Sequence, residues 1–228
     1  MTSTKDLPIL CHDVIFKSLF INNVDLLLMF IKDITNLNFK DMHLYCNERP
    51  IMRDGEKFKR CDFILRNDNH IINIELNSNY YDTLIIKNTC YVFSLFSTDA
   101  SSGKEYNKDL VVIQININNF TRFNKPILDF KIIDNTYSNI YLNNIEIFDL
   151  DIVKSSKVYY NEDEKGRNYL KWGALFASTT LEEIDNILSS ILPLEEKKRI
   201  MDELRKITME VTTMSEAEAL REDDKFRR

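Results

Sequence analysis

Glycine and proline are scarce in this chain, four of each in 228 residues, and alanine occurs five times. So few turn formers disfavour an all-β fold assembled from many tight turns. No run of about 18 apolar residues occurs, so no transmembrane helix is expected. The opening Met1 to Leu10 lacks the basic start and long apolar stretch of a secretory signal. Cysteine is thin as well: Cys11, Cys46, Cys61 and Cys90 are scattered, with no CxxC. A chain of this size does not need a disulfide framework, so reduced thiols in a cytoplasmic protein are expected. His43, Cys46 and Cys61 can be drawn as a zinc cluster, but zinc needs four converging ligands. Walker, GxSxG, HExxH and Rossmann fingerprints are all missing, which removes sequence support for those enzyme classes. A basic surplus is missing too: 30 Lys+Arg stand against 36 Asp+Glu, a net charge of −6. That argues against a generally basic nucleic-acid coat protein while leaving a local basic groove open.

What is present is a globular composition, 44% hydrophobic and 29% charged. It excludes disorder, collagen and a coiled-coil rod as whole-chain descriptions. Isoleucine (27) and asparagine (23) are abundant, a bias of the kind an AT-rich genome imposes. The length suits one domain, or one domain with an appendage.

Periodicity organises the chain. Asp13–Phe20 reads as a short amphipathic helix with Val14, Ile15, Leu19 and Phe20 inward. Val24–Leu37 reads as a second helix and Met42–Asn47 as a strand, followed by a polar loop over Glu48–Lys59. Arg60–Arg66 and Ile71–Asn77 read as strands joined at Asn67-Asp68-Asn69-His70, residues that tolerate the positive φ of tight hairpin turns. Tyr81–Ser97 is expected to be a helix. Leu110–Asn118 alternates cleanly and is the best strand, and Ile127–Ile133 and Ile145–Leu150 are candidate strands. Helices are expected beyond about residue 165. Thr180 with Glu183 forms a capping box, Pro193 suits the first position of another helix, and Ile200, Leu204, Ile207 and Val211 form a narrow stripe. That stripe fits a homodimer seam, and equally a helix packed on its own domain. Charge marks no boundary, since residues 1–150 and 151–228 each carry a net −3.

One hairpin carries chemistry. In Ile71–Asn77, Asn73, Glu75 and Asn77 share a face opposite Ile72, Ile74 and Leu76. The neighbouring strand is apolar except for Asp62, and an unpaired charge there is costly to bury. A two-residue turn centred on Asp68–Asn69 places Asp62 opposite Glu75 and Arg60 opposite Asn77. Directly paired side chains have Cβ atoms about 5 Å apart. Two carboxylates that close need a shared proton or a cation between them, and Mg²⁺ accepts one or two carboxylates plus waters. A chance pair on a wet sheet face gives the same pattern, and a slip of one residue would separate the two groups.

The order of these parts resembles the PD-(D/E)xK nucleases, and more narrowly the nuclease-family transposases, the Rpn-type recombination-promoting nucleases. Four stretches over about residues 10–120 carry the likeness. Asp13-Val-Ile-Phe-Lys17-Ser-Leu-Phe20 is similar to D-x-x-F-K-x-L-F. Cys61-Asp62-Phe63-Ile64-Leu65 is similar to the first acidic strand, and Ile72-Asn73-Ile74-Glu75-Leu76-Asn77 to I-N-I-E-x-Q. Gly103-Lys-Glu-Tyr106 leading into Leu110-Val-Val-Ile-Gln-Ile is similar to the G-x-x-Y segment and its strand.

The resemblance implies a restriction-endonuclease-like α/β core, with a short mixed sheet flanked by helices over residues 1–165 and a helical extension over 166–228. It implies a Mg²⁺- or Mn²⁺-dependent DNA endonuclease in a bacterial or phage cytoplasm. Asp62 and Glu75 would hold the metal, and Asn77 would take the third motif position, where relatives carry Lys or Gln. Lys87, Arg60 and Lys17 would contact DNA, with Asp13 and Gln114 as additional site residues. Helix packing or capping explains Asp13 and Lys17 nearly as well, and Gln114 fits an ordinary hydrogen-bonding role. Asn77 is shorter than Gln and uncharged, so a catalytically weak or inactive relative that binds nucleic acid or a protein partner is the competing reading. Arg49, Arg53, Lys57, Lys59, Arg60 and Arg66 crowd the loop before Asp62. Nearby acids dilute them to a net +2, so a DNA-backbone patch and a solvated loop both fit. Trp172 and Tyr169 read as packing residues, and Glu162-Asp163-Glu164 as a solvated helix start.

Overall fold

A computed structural model describes residues 7–46, 50–51, 59–98, 105–161 and 167–226. After a short 3₁₀ turn (Ile9–Cys11), helices α1 (Asp13–Asn22) and α2 (Val24–Thr35) lead into strand β1 (His43–Cys46). A small ribbon pairs β2 (Pro50–Ile51) with β3 (Lys59–Arg60). The hairpin β4 (Phe63–Arg66) and β5 (His70–Asn77) is followed by α3 (Leu84–Ser97), β6 (Val111–Asn118), β7 (Ile127–Ile133) and β8 (Ile140–Asp151). Helices α4 (Ile152–Asn161), α5 (Asn168–Ala177), α6 (Leu181–Leu188) and α7 (Leu194–Phe226) complete the chain.

The main sheet has the order β1-β4-β5-β6-β8-β7. β5, β6 and β8 run parallel and the remaining neighbours antiparallel. This is the expected α/β architecture, a mixed sheet flanked by helices. The long isoleucine runs follow from it, because parallel strands covered on both faces need apolar side chains on both. One face buries Phe63, Leu65, Ile72, Ile74, Ile113, Ile115, Ile117 and Phe148 against α1, α2 and α5–α7 in a single core. That core takes residues from both sides of position 165, with Trp172, Phe176, Ile200 and Leu204 among them. The other face is apolar only in part, where Ile64, Ile71, Val112 and Ile145 meet Tyr91, Val92 and Leu95 of α3.

The hairpin register is the one read from the turn: Phe63 pairs with Ile74, Ile64 with Asn73, Leu65 with Ile72 and Arg66 with Ile71. Several local expectations change. Asp68 and Asn69 do not adopt positive φ. The turn is closed instead by the Asn67 side chain, whose Oδ1 accepts from Asn69 N (3.0 Å) and His70 N (2.8 Å), an Asx turn. The strand begins at Phe63 rather than Arg60, because the chain bends at Asp62 and Arg60 pairs with Pro50 in the separate ribbon. Arg60 therefore does not lie opposite Asn77. In α1 the buried residues are Ile15, Phe16, Leu19 and Phe20, while Val14 faces solvent. Helix begins again at Ile152, earlier than expected, where Asp151 Oδ1 accepts from Lys154 N at 2.7 Å. Pro193 precedes α7, and its carbonyl accepts the first helical hydrogen bond from Lys197 N.

The Thr180–Glu183 capping box is present. Trp172 is fully buried and donates from Nε1 to Asp33 Oδ2 at 2.8 Å, a packing role. Ile200, Leu204 and Ile207 are buried in the chain's own core and Val211 packs against it, so the stripe is covered from within. Among the described residues no single helix is long and apolar enough to cross a membrane. α1 and α2 reach that hydropathy only as a pair bent by 102°, and both bury their apolar faces in the core.

Candidate active site

Asp62 and Glu75 come together where β5 ends, near the middle of the sheet. Asp62 N donates to Glu75 Oε1 (3.3 Å), and Leu76 N donates to Asp62 Oδ2 (2.8 Å). Glu75 is 1% exposed. A wet edge strand is thereby excluded: β5 has neighbours on both sides and Glu75 is closed off from water.

Each carboxylate has a lysine from a different helix. Lys17 of α1 lies 3.3 Å from Asp62 Oδ1 and 2.9 Å from Asp13, one turn back on its own helix. Lys87 of α3 lies 3.1 Å from Glu75 Oε2, with its ammonium 5.2 Å from the centre of the Tyr91 ring. Burial is the largest influence on both acids. It raises Asp62, opposed by the Leu76 N–H and Lys17. It raises Glu75 to about 7, helped by the charge of Asp62 and opposed by Lys87. The charge of Asp62 thus helps keep the proton on Glu75.

The same face continues as a polar ladder across the parallel strands. Register places Asn73 beside Gln114, Glu75 beside Asn116 beside Asp149, and Asn77 beside Asn118 beside Asp151. Asn73 Nδ2 donates to Gln114 Oε1 (2.7 Å) and, at 3.4 Å, to Glu75 Oε1. Gln114 Nε2 donates to Asn116 Oδ1 (2.8 Å), and Asn116 Nδ2 to Asp149 Oδ1 (2.6 Å). Three amides therefore connect Glu75 to a second half-buried carboxylate. Burial raises the pKa of Asp149, while the Asn116 and Asn118 amides and the Arg122 charge oppose that rise.

The ladder lies at the carboxyl ends of β5, β6 and β8, where open α/β sheets receive their ligands. The N-terminal half of α3 meets this face, with Lys87 against Glu75 and Asn88 lining a cavity with Asn116 and Asp149. A larger cleft of about 680 Å³ runs between Asp33, Leu37, Asp129, Lys131, Glu146 and Arg167. It shares no residue with the carboxylate pair and carries none of this arrangement.

A model of the PD-(D/E)XK nuclease family transposases matches residues 10–228. The chain belongs to that family. The match covers the helical C-terminal part as well as the motif region. No curated protein and no solved structure matches the chain. Nucleases of this family generally use divalent metal ions, and the donor set fits a hard cation. Its oxygen donors are two carboxylates, while the neighbouring Cys61 thiol hydrogen-bonds Glu75 and is pushed well above the ordinary thiol range by burial and by the two acids; Mg²⁺ takes one or two carboxylates with waters filling the remaining positions. Among the described residues no group of three or more Asp, Glu, His or Cys side chains is arranged to hold a metal ion by itself, so a cation at Asp62 and Glu75 would complete its shell with water.

Of the residues singled out from the sequence, the structure gathers Asp62, Glu75, Lys87, Lys17 and Asp13 around one point. Gln114 borders them through Asn73. Asn77 lies on the same face, but its Nδ2 donates to Asn118 Oδ1 at 3.0 Å, away from the carboxylates. Arg49, Arg53 and Lys57 lie outside the described residues, as does Glu162-Asp163-Glu164, and Arg60 is placed only by its backbone. Sequence reasoning missed Asn116, Asn118 and Asp149. The signal was available in part: Gln114, Asn116 and Asn118 alternate with three isoleucines, mirroring Asn73, Glu75 and Asn77 on β5.

Proposed function

We propose that this protein is a divalent-metal-dependent DNA endonuclease, with Mg²⁺ or Mn²⁺ held by Asp62 and Glu75. The observation that carries the reading is the pairing of a buried and a partly buried carboxylate with two lysines delivered from separate helices. A purely structural ion pair needs one acid and one base; here two acids share a buried point at a cost in desolvation. Bound at that point, a divalent ion supplies positive charge against the scissile phosphate and acidifies the attacking water. Asp62 and Glu75 contribute its oxygen ligands, and Asn73 together with the Asp62 N–H orients Glu75 Oε1. Lys87, beside Glu75, is the cation placed to meet a phosphate, and it takes the part that a lysine at position 77 plays in relatives. Lys17 opposes the rise that burial imposes on Asp62 and balances the charge of the cluster.

A supercoiled plasmid incubated with Mg²⁺ or Mn²⁺ should be nicked, and Asp62→Ala and Glu75→Ala should each reduce nicking to background. If pure protein never cleaves DNA with either ion, the enzyme reading is lost. The second reading, a relative that binds nucleic acid or a partner without cutting, is favoured by the engagement of Asn77 with Asn118. It predicts no Mn²⁺ binding by calorimetry, whereas a working site binds Mn²⁺ and binds it more weakly after Asp62→Asn.

A further inference from the structure

Beside the carboxylate pair, on the same face of the sheet, lies a second cavity of about 230 Å³. Its floor is Asn116 and Asp149, its aromatic wall is Phe123 and Phe130, and Asn88 and Arg122 stand at its sides. The Phe rings lie 5.9 Å apart, and the Arg122 guanidinium sits 4.6 Å from the centre of Phe123. The volume is below that of pockets for drug-sized ligands and suits one planar ring system.

Asn88 is 5% exposed, and its Oδ1 is buried with no hydrogen-bond partner. A buried acceptor left unpaired is costly in a folded protein, so this atom points to a ligand that brings a donor. Asn88 follows Lys87 directly in α3, and Asn116 is the register partner of Glu75. At about 4.8 Å per strand, the floor of the cavity begins one strand away from the metal-binding acid, within the reach of a single nucleotide.

We propose that this cavity receives one unpaired base of a DNA strand whose phosphate lies at Asp62 and Glu75, and that it favours adenine. The inference rests on the nuclease reading of the neighbouring pair. A carboxamide recognises adenine by accepting from the N6 amino group and donating to N7, and Asn88 presents such an unsatisfied acceptor. Thymine has no exocyclic amino group to offer it. Phe123 and Phe130 supply the stacking surface, which tolerates any base and leaves the choice of base to Asn88. Double-stranded DNA would have to extrude the base first, so single strands and unpaired sites are the expected ligands.

The test uses the full chain in EDTA, where no metal-dependent cleavage occurs, with labelled dA8 and dT8 followed by fluorescence anisotropy. Wild type should bind dA8 at least about fivefold more tightly than dT8, since a carboxamide–adenine hydrogen-bond pair discriminates against the wrong base by at least that factor. Asn88→Leu should abolish the difference and leave dT8 affinity unchanged. Phe130→Leu should weaken both, and 2-aminopurine placed in the octamer should lose fluorescence on binding wild type but not Phe130→Leu. Equal affinities for dA8 and dT8 in wild type, a preference that survives Asn88→Leu in a variant with wild-type thermal stability, or no binding of either strand would each overturn the proposal. AMP is the control for a free nucleotide: if it binds as tightly as dA8, the cavity serves nucleotides and the strand assignment fails. A protein that cuts plasmid without base preference sinks only the cavity proposal. One that prefers dA8 in the Asp62→Asn background but never cuts as wild type sinks only the nuclease.

Discussion

The proton on Glu75 gives the most direct physical handle on the site. An ordinary glutamate titrates near 4.5, and in the folded chain burial and the Asp62 charge raise Glu75 to about 7. That difference corresponds to about 3 kcal/mol of folding free energy. Its sign follows from which state holds the proton more tightly. The folded state does, so the stabilisation is fully present below pH 4.5 and is lost as the pH rises through 7. Asp62, also raised, acts in the same direction at the acid end of this window. Urea unfolding in EDTA from pH 4.5 to 8 measures the effect, with Glu75→Gln as the permanently neutral reference. Wild type should lose about 3 kcal/mol relative to that variant across the window. A bound divalent ion needs the ionised form, so calorimetric titration with Mn²⁺ should release close to one proton at pH 6 and almost none at pH 8. Apparent affinity should fall roughly tenfold per pH unit below 7. Parallel stability curves for wild type and Glu75→Gln, or Mn²⁺ binding without proton release at pH 6, would refute the reasoning.

Other consequences are equally concrete. If Lys87 supplies the missing motif cation, Lys87→Met should lower the cleavage rate about 10²- to 10³-fold, as loss of one preorganised electrostatic group does, while Lys87→Arg retains part of it. A Cβ added at Gly173 would overlap Ser155 Cβ and lie 2.6 Å from its Oγ. Gly173→Ala should therefore cost about 1–3 kcal/mol or more by overpacking, and Ser155→Gly should restore part of the loss in thermal melts. Trp172→Phe removes the indole donor to the Asp33 carboxylate, which keeps the Asn168 donor, and should cost about 1–3 kcal/mol for a hydrogen bond to a charged group, read from urea midpoints. Thr180→Ala removes the α6 cap and should cost about 1 kcal/mol by the same measurement.

The sequence by itself determined what short-range physics determines. The Asn67–His70 connection is short, and a two-residue turn there, with period-two alternation, gave the register that sets Asp62 against Glu75. The capping box at Thr180 and the stripe from Ile200 to Val211 were legible for the same reason, since their partners lie within a few residues. The third motif position was legible as a departure, because Asn stands where Lys or Gln is usual.

Tertiary structure decided everything that depends on chain brought from a distance. No local rule puts β5 in the centre of the sheet, yet that placement is what buries Glu75 and raises its pKa. Lys17 and Lys87 look like ordinary helix lysines until α1 and α3 dock from different sides and bring them to the two carboxylates. The polar ladder needs the parallel registers of β5, β6 and β8, which no turn specifies and only the packed sheet fixes. Arg60 turned away because the chain bends at Asp62 into a ribbon of its own, and the α7 stripe met its own core because α1 and α6 present apolar side chains against it. Hydrophobic pattern sets which side of each strand is buried. Which polar side chains then share that burial is a property of the assembled sheet, because desolvation and charge coupling act through space and not along the chain.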